Sequence, residues 1–317
     1  MKKMKVVVLF GGCSKEREIS LLTGEEVYKT LLKSGHDASK IDLDENFVEN
    51  LKRERPDIVF IALHGKHGED GTVQGILEIL DIPYTGSGVL ASALCLNKLF
   101  SKRVFLSEGI STPAFLHISK SDWKDEKDQI LTKAKEAFPL PFVVKPVAQG
   151  SSVGISVISK EKDLADSIED AFSCDEGVLI EEFIEGREIQ CGVLGNEDPV
   201  ALPLVEIIPK NQFFDFEAKY TSGMAEEITP APLSVAETKA GKEMSLRAYK
   251  ALGCSGFARV DMFLASGRGF LVSEINTIPG LTENSLFPKE AKAAGIAFPE
   301  LVGKIVELAL EKKHSQT

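Results

Sequence analysis

The chain opens on an apolar run, Val6-Val7-Val8-Leu9-Phe10, that stops at Gly11-Gly12. A run without polar alternation suits a strand covered on both faces, the form strands take in parallel sheets. An amphipathic stretch from about Lys15 to Lys33 follows and ends at Gly35. Residues 41–43 make a weak second strand, residues 57–63 a clear third, and a helix runs from about Thr72 to Leu80. Alternating strand and helix predicts a parallel sheet flanked by helices. Ligands of such sheets lie beyond the carboxyl ends of the strands. Residues 10–16 and 63–71 therefore head any site in this part of the chain.

The lysines of Met1-Lys2-Lys3-Met4-Lys5 before that run mimic a secretory signal. The apolar segment reaches the shortest acceptable length only by counting Gly11 and Gly12, and no small-residue cleavage site follows, so a buried first strand is expected, with a lipid-modified Cys13 as the minor alternative. Further on, a helix-rich stretch over about 88–138 leads to a strand at 142–147, a Gly/Ser turn, a short strand at 155–158, a helix near 161–172 and a strand at 178–183. Strands are then expected at 188–194, 200–207, 256–264 and 270–276, with helices near 234–252 and 298–312. The 317 residues divide best into three units, 1–90, 91–182 and 183–317. The fold class is mixed, α/β at the start and α+β beyond it.

Lys+Arg 37 against Asp+Glu 48 leaves a net charge of −11. That sign argues against a general binder of nucleic acid or of anionic membranes. No apolar run approaches the ~18 residues of a membrane helix. Five cysteines at 13, 95, 174, 191 and 254 form no CxxC pair, which fits a reduced cytoplasm.

The sharpest chemical signal is a late strand pair. In Gly256–Leu264, alternation puts Arg259 and Asp261 on one face; in Phe270–Asn276 it puts Glu274 and Asn276 together. A hairpin pairing 264 with 271 would set Asp261 opposite Glu274 and Arg259 opposite Asn276. Two carboxylates and an amide oxygen suit a hard cation shared with phosphates. Like charges opposed across strands destabilise a sheet unless something neutralises them. The plain alternative is a solvated polar face.

Lys145 lies in the apolar strand Phe142-Val143-Val144-Lys145-Pro146, where a lysine is costly unless an anion awaits it. The following Gly150-Ser151-Ser152-Val153-Gly154 turn offers N–H groups and hydroxyls to phosphate, although it is not a Walker A loop. Glu181 ends a buried strand that runs into an acidic turn, a segment able to meet an adenine edge and ribose hydroxyls. Read on spacing alone, Lys98 is a surface helix residue, and Glu16 and His64 are turn residues. Neither of the last two has a Ser or Cys partner at triad spacing, so no acyl-enzyme nucleophile is expected.

Six ordered motifs resemble those of the D-alanine–D-alanine ligases, within the ATP-grasp fold. They are Gly11-Gly12-Cys13-Ser14-Lys15-Glu16-Arg17-Glu18-Ile19-Ser20, His64-Gly65-Lys66-His67-Gly68-Glu69-Asp70-Gly71-Thr72-Val73-Gln74-Gly75, Pro83-Tyr84-Thr85-Gly86-Ser87-Gly88, Lys145 with Gly150–Gly154, Glu217-Ala218-Lys219-Tyr220, and Glu274-Ile275-Asn276-Thr277-Ile278-Pro279-Gly280-Leu281-Thr282. The resemblance spans about residues 5–310 and implies three domains, with ATP held between the central and C-terminal ones. It implies that Lys98, Lys145 and Lys219 meet phosphates beside Ser151 and Ser152, while Glu181, the Phe183–Ile184 backbone and Glu188 surround adenosine. Asp261, Glu274 and Asn276 would hold two Mg2+, for which Mn2+ could substitute. Glu16 would take the ammonium of the first D-alanine, with His64 beside its carboxylate. Arg259 and the Gly280 N–H would meet the oxyanion, and Ser285 and Leu286 the second D-alanine. Glu16, Ser151 and Tyr220 would form one hydrogen-bonded triad, and residues 210–224 would close over the site. Gln149 stands where the family often carries a glutamate. A homodimer is the expected assembly.

The implied reaction is ATP-dependent ligation of two D-alanines through an acyl phosphate, for peptidoglycan precursors. One rival is a D-alanine–D-lactate ligase on the same fold, which Tyr220 disfavours. Another is a nicotinamide-dependent oxidoreductase, suggested by the first unit, but no Gly-x-Gly-x-x-Gly follows Phe10.

Overall fold

The computed structural model describes residues 3–150, 153–209 and 225–314. In the first sheet β1 (Lys5–Phe10) lies between β2 (Asp37–Asp42) and β3 (Ile58–Ile61), both parallel to it. Val6, Val7, Val8 and Leu9 are all fully buried, as an unalternating apolar run requires. The second strand begins four residues earlier than expected. Its sequence Asp-Ala-Ser-Lys-Ile-Asp is half-exposed along an edge, so it carries no apolar run to read. Helices α1 (Arg17–Lys33), α2 (Phe47–Glu54) and α3 (Thr72–Ile79) connect and follow these strands.

Helices α4 (Val89–Leu96) and α5 (Lys98–Ser107) come next. Asn97 caps α5 by accepting the Phe100 N–H at 3.1 Å. The stretch expected to be helix-rich also contains β4 (Phe115–Ser119), which precedes α6 (Lys120–Ala137). β4 is a short, half-exposed edge strand between helices, and its pattern is too brief to show period two. It joins β5 (Phe142–Pro146), β6 (Ser156–Ile158) and β7 (Gly177–Glu182) in an antiparallel sheet ordered β4-β7-β5-β6. α6 and α7 (Leu164–Phe172) share its core with Phe142, Val144 and Ile180.

The third sheet contains β8 (Gly186–Leu194), β9 (Val200–Ala201), β10 (Val205–Pro209), β11 (Ala225–Ile228), β12 (Phe257–Ala265) and β13 (Gly269–Asn276). Its order is β11-β10-β8-β12-β13, with β9 beside β8. The single strand expected over 200–207 is two strands, parted at Leu202-Pro203-Leu204, because proline cannot donate to a ladder. α8 (Val235–Ala251) packs against this sheet and opens on a capping box between Ser234 and Glu237. α9 (Leu286–Ala293) and α10 (Phe298–His314) follow. α10 returns to the first sheet, where Leu301, Val302, Ile305 and Val306 share a core with β1 and β3. The first and third sheets also touch where Gly256 meets Gly86. A Cβ at Gly256 would lie 3.1 Å from the Gly86 backbone. No described helix is long and apolar enough to cross a membrane.

α1 lies so close to β1 that a Cβ at Gly24 would stand 2.6 Å from the Phe10 Cβ, whereas one at Gly75 in α3 would meet only Val89, at 3.9 Å. Alanine in a helix normally stabilises relative to glycine by about 1 kcal/mol. Gly75→Ala should therefore raise the melting temperature slightly, while Gly24→Ala should lower stability by about 1–3 kcal/mol through overpacking. Thermal melts of both variants check this. A stabilised Gly24→Ala would contradict the close approach.

Candidate active site

The β12–β13 hairpin sets Arg259 opposite Asn276 and Asp261 opposite Glu274. The tip is one residue out of the expected register: Leu264 faces Phe270, not Leu271. A bulge between Asp261 and Met262 leaves Ser273 unpaired and restores the pairing of the carboxylates. Each carboxylate has its own cation. Asp261 accepts two bonds from Arg259, Nε to Oδ1 at 2.7 Å and Nη2 to Oδ2 at 2.8 Å. Glu274 Oε2 stands 3.1 Å from the Lys98 ammonium. The repulsion expected of opposed carboxylates is thus offset within the protein.

Lys98 is not a surface residue. It is the first residue of α5, is only 5% exposed, and donates to the Gln149 carbonyl at 2.6 Å. The Gln149 side-chain amide donates to the Cys174 carbonyl at 2.7 Å, a bond that a glutamate could not make when ionised. Gln149 therefore meets Lys98 through its backbone, and its amide pins the start of the Gly/Ser turn.

Lys145, also 5% exposed, points its ammonium at Glu181 Oε2, 2.8 Å away. The other Glu181 oxygen faces Lys102 Nζ at 3.2 Å. The carboxylate of Glu181 is thus turned inward and shared by two lysines, which leaves the strand end to present backbone groups. The neighbouring Glu182 turns outward to Arg268, at 2.8 Å. Phe183 is half-buried and Ile184 buried on the turn from β7 into β8, and the half-buried Glu188 lies within β8.

At the carboxyl ends of the first sheet, Glu16 stands just before the first turn of α1 without a side-chain capping bond, and its carboxylate lies against two glycines. A Cβ at Gly65 or Gly150 would come within 2.7 Å or 2.8 Å of Glu16 Oε2. The central Gly/Ser turn and the first sheet therefore meet at Glu16. His64 is buried, with Nε2 3.2 Å from Thr23 Oγ1. Burial holds its pKa down to about 4, so the ring is neutral at pH 7. Glu69, in the same loop, accepts the Gly65 N–H at 2.5 Å. Burial, and then the charge of Glu16, push its carboxyl up to about 8.

Beyond β13, Asn276 Oδ1 accepts the Ile278 N–H at 3.0 Å and so shapes the loop that carries Gly280. Gly280 lies against Ser285, whose Oγ would be 3.0 Å from a Cβ there. Ser285 stands at the N-terminus of α9, bonded to Thr282 Oγ1 at 2.8 Å, and the half-buried Leu286 follows it. Ser151, Ser152, Lys219, Tyr220 and the segment 210–224 lie outside the described residues.

Three buried charged groups at this cleft escaped the sequence reading: Lys102, Glu69 and Glu290. Glu290 accepts the Gly192 N–H at 3.0 Å, and Gly192 is the strand partner of Arg259. Lys102 follows Lys98 by one helical turn, and that spacing could have flagged it. Glu69 and Glu290 carry no such signal, because only the fold shows that they are buried.

Glu69 supplies a pH test. Its folded pKa near 8 lies above the ordinary 4.5, so stability is lost as pH rises from 4.5 through 8. Glu69→Gln cannot ionise. It should match wild type below pH 4.5 and gain on it by up to ~1.4 kcal/mol per pH unit towards pH 8. Denaturant unfolding across that range measures the difference, and a gap independent of pH would contradict the assignment.

Two family models match the chain. D-ala D-ala ligase N-terminus covers residues 38–87 and D-ala D-ala ligase C-terminus residues 104–307. The D-alanine–D-alanine ligase of Pelotomaculum thermopropionicum is 48% identical over 309 residues, 97% of each chain. That of Carboxydothermus hydrogenoformans is 47% identical, over 97% of this chain and 99% of the relative. Among solved structures, the Bacillus anthracis D-alanine–D-alanine ligase complexed with ATP superposes with a TM-score of 0.84 at 35% identity, covering 99% of this chain and 100% of that one. The VanG D-Ala:D-Ser ligase of Enterococcus faecalis superposes with a TM-score of 0.83 at 31% identity, covering 97% of this chain and 100% of that one. This chain belongs to the D-alanine–D-alanine ligase family, ATP-dependent ligases with the ATP-grasp fold.

Proposed function

We propose that this chain joins two D-alanine molecules into D-alanyl-D-alanine at the expense of ATP, through an acyl phosphate, to supply peptidoglycan precursors. It does so in the cytoplasm, as a homodimer. The observation that carries the reading is the pairing of Asp261 with Glu274 across β12 and β13, each carboxylate backed by its own cation. Relatives at 47–48% identity over nearly the whole chain support D-alanine as both substrates. A family model for a ligase, rather than a dinucleotide-binding unit, displaces the oxidoreductase alternative.

A carboxylate is a poor electrophile, so the first step moves the γ-phosphoryl group of ATP onto the carboxylate of the first D-alanine. Lys98, Lys145 and Lys219 hold the phosphates together with Ser151 and Ser152. The Phe183–Ile184 backbone and Glu188 receive the adenosine, and Glu181 orients Lys145. Asp261, Glu274 and Asn276 form a hard-oxygen set that fits Mg2+. Mg2+ bound there would offset charge on the transferring phosphoryl group.

Glu16 holds the ammonium of the first D-alanine, and neutral His64 lies beside its carboxylate. In this reading Ser151 and Tyr220 complete a triad with Glu16. Ser285 and Leu286, at the N-terminus of α9, take the carboxylate of the second D-alanine, where the helix end favours an anion. The second amine then attacks the acyl carbonyl. Arg259 and the Gly280 N–H stabilise the resulting oxyanion, and phosphate leaves.

Phosphate release with ATP, Mg2+ and D-alanine, matched against dipeptide measured by mass spectrometry, tests the reading. The expected ratio is one phosphate per D-alanyl-D-alanine, with no depsipeptide when D-lactate is added. Glu274→Gln keeps the size of the side chain but removes its charge. It should lower kcat by roughly 100-fold, about 2.7 kcal/mol, and lower the melting temperature as well, because the buried Lys98 loses its counter-ion. Near-normal turnover at saturating Mg2+ would remove Glu274 from the metal site.

A further inference from the structure

Lys102 has no task in the mechanism above, yet its burial is complete, at 0% exposure. It sits on α5, one turn beyond Lys98, with its ammonium 2.8 Å from Thr112 Oγ1 and 3.5 Å from the Pro113 carbonyl. Its third neighbour is Glu181 Oε1, at 3.2 Å, and the Phe115 ring centroid lies 5.6 Å away. Glu181 Oε1 has no aligned hydrogen-bond donor, so the Lys102–Glu181 contact is a charge contact, while Thr112 fixes the ammonium in place.

A buried ion pair is weak support for a fold, since an apolar side chain of similar size often serves as well. The lysine therefore needs a reason beyond packing. Glu181 lies between two ammoniums, with Lys145 at 2.8 Å on its other oxygen. One carboxylate between two lysines leaves the group with a net charge of +1. Without Lys102, Glu181 and Lys145 would form a closed neutral pair, and an arriving polyphosphate would have to pull Lys145 from an undivided carboxylate.

We infer that Lys102 is a positioning residue for the nucleotide: by taking one oxygen of Glu181 it leaves Lys145 available to the phosphates of ATP. The inference rests on the proposed ATP site at Lys145. It assigns Glu181 the role of a divided counter-ion between the two lysines.

Calorimetric titration of ADP into the full-length protein tests this without turnover, with steady-state kinetics beside it. Lys102→Met should weaken ADP binding about tenfold, the size expected for one charge at short range in a partly screened site. The KM for ATP should rise by the same factor, with kcat at saturating ATP and the KM for D-alanine changing far less. Adding Glu181→Gln to Lys102→Met should recover most of the lost affinity, because no carboxylate then holds Lys145. A packing role predicts no such rescue. Unchanged ADP affinity in folded Lys102→Met, or a double variant that binds more weakly than the single, would overturn the inference. If Lys102→Met does not fold, Thr112→Val loosens the same ammonium and should weaken ADP binding in the same direction; a folded Thr112→Val with wild-type affinity would overturn it equally. Failure of the wild-type protein to bind ADP would instead refute the proposed nucleotide site.

Discussion

Glu181 carries the contact on which the cleft depends, with its two oxygens facing Lys145 at 2.8 Å and Lys102 at 3.2 Å. Charges this deep cannot stand alone, because desolvation of an unpaired ion costs several kcal/mol. The same rule orders the rest of the cleft. Lys98 answers Glu274 and Arg259 answers Asp261, so three anions and four cations run from the central sheet into the hairpin of the third sheet. Lys98 and Lys102 come from one helix, α5, whose first N–H bonds to the Val147 carbonyl at 2.9 Å. A displacement of α5 would therefore disturb both sheets together.

The hairpin shows how a small irregularity serves chemistry. A short turn sets the tip register, and without the bulge at Asp261 the two carboxylates would not face each other. The bulge aligns them at the point where β12 also borders β8, and β8 brings Gly192 and its Glu290 partner behind Arg259. Arg259 is half-buried; desolvation works against its charge, and Asp261 more than offsets that, raising its pKa above the ordinary arginine value.

Much of this was legible in the sequence wherever the signal was local. Unalternating apolar runs marked β1 and β3, and period-two alternation put Arg259 with Asp261 and Glu274 with Asn276. What failed was non-local. β2 and β4 are half-exposed edge strands whose pairing comes from distant segments. Lys98 reads as a surface residue on spacing because nothing near it in sequence announces the Gln149 carbonyl or Glu274. Glu69 and Glu290 are ordinary acids until the fold buries them. Periodicity of a single helix cannot show that Lys98 is buried, since the groups that receive its ammonium lie far away in sequence.

In the proposed reaction, ATP activates the carboxylate of one D-alanine before the other attacks it. In that route, the oxygen bridging carbon and phosphorus comes from the D-alanine carboxylate and leaves with phosphate. D-alanine labelled in its carboxylate with heavy oxygen, incubated with ATP and the enzyme, tests this most directly by mass spectrometry of the phosphate released. One labelled oxygen is expected in each phosphate, matched to dipeptide formed. Dipeptide accompanied by unlabelled phosphate would contradict it.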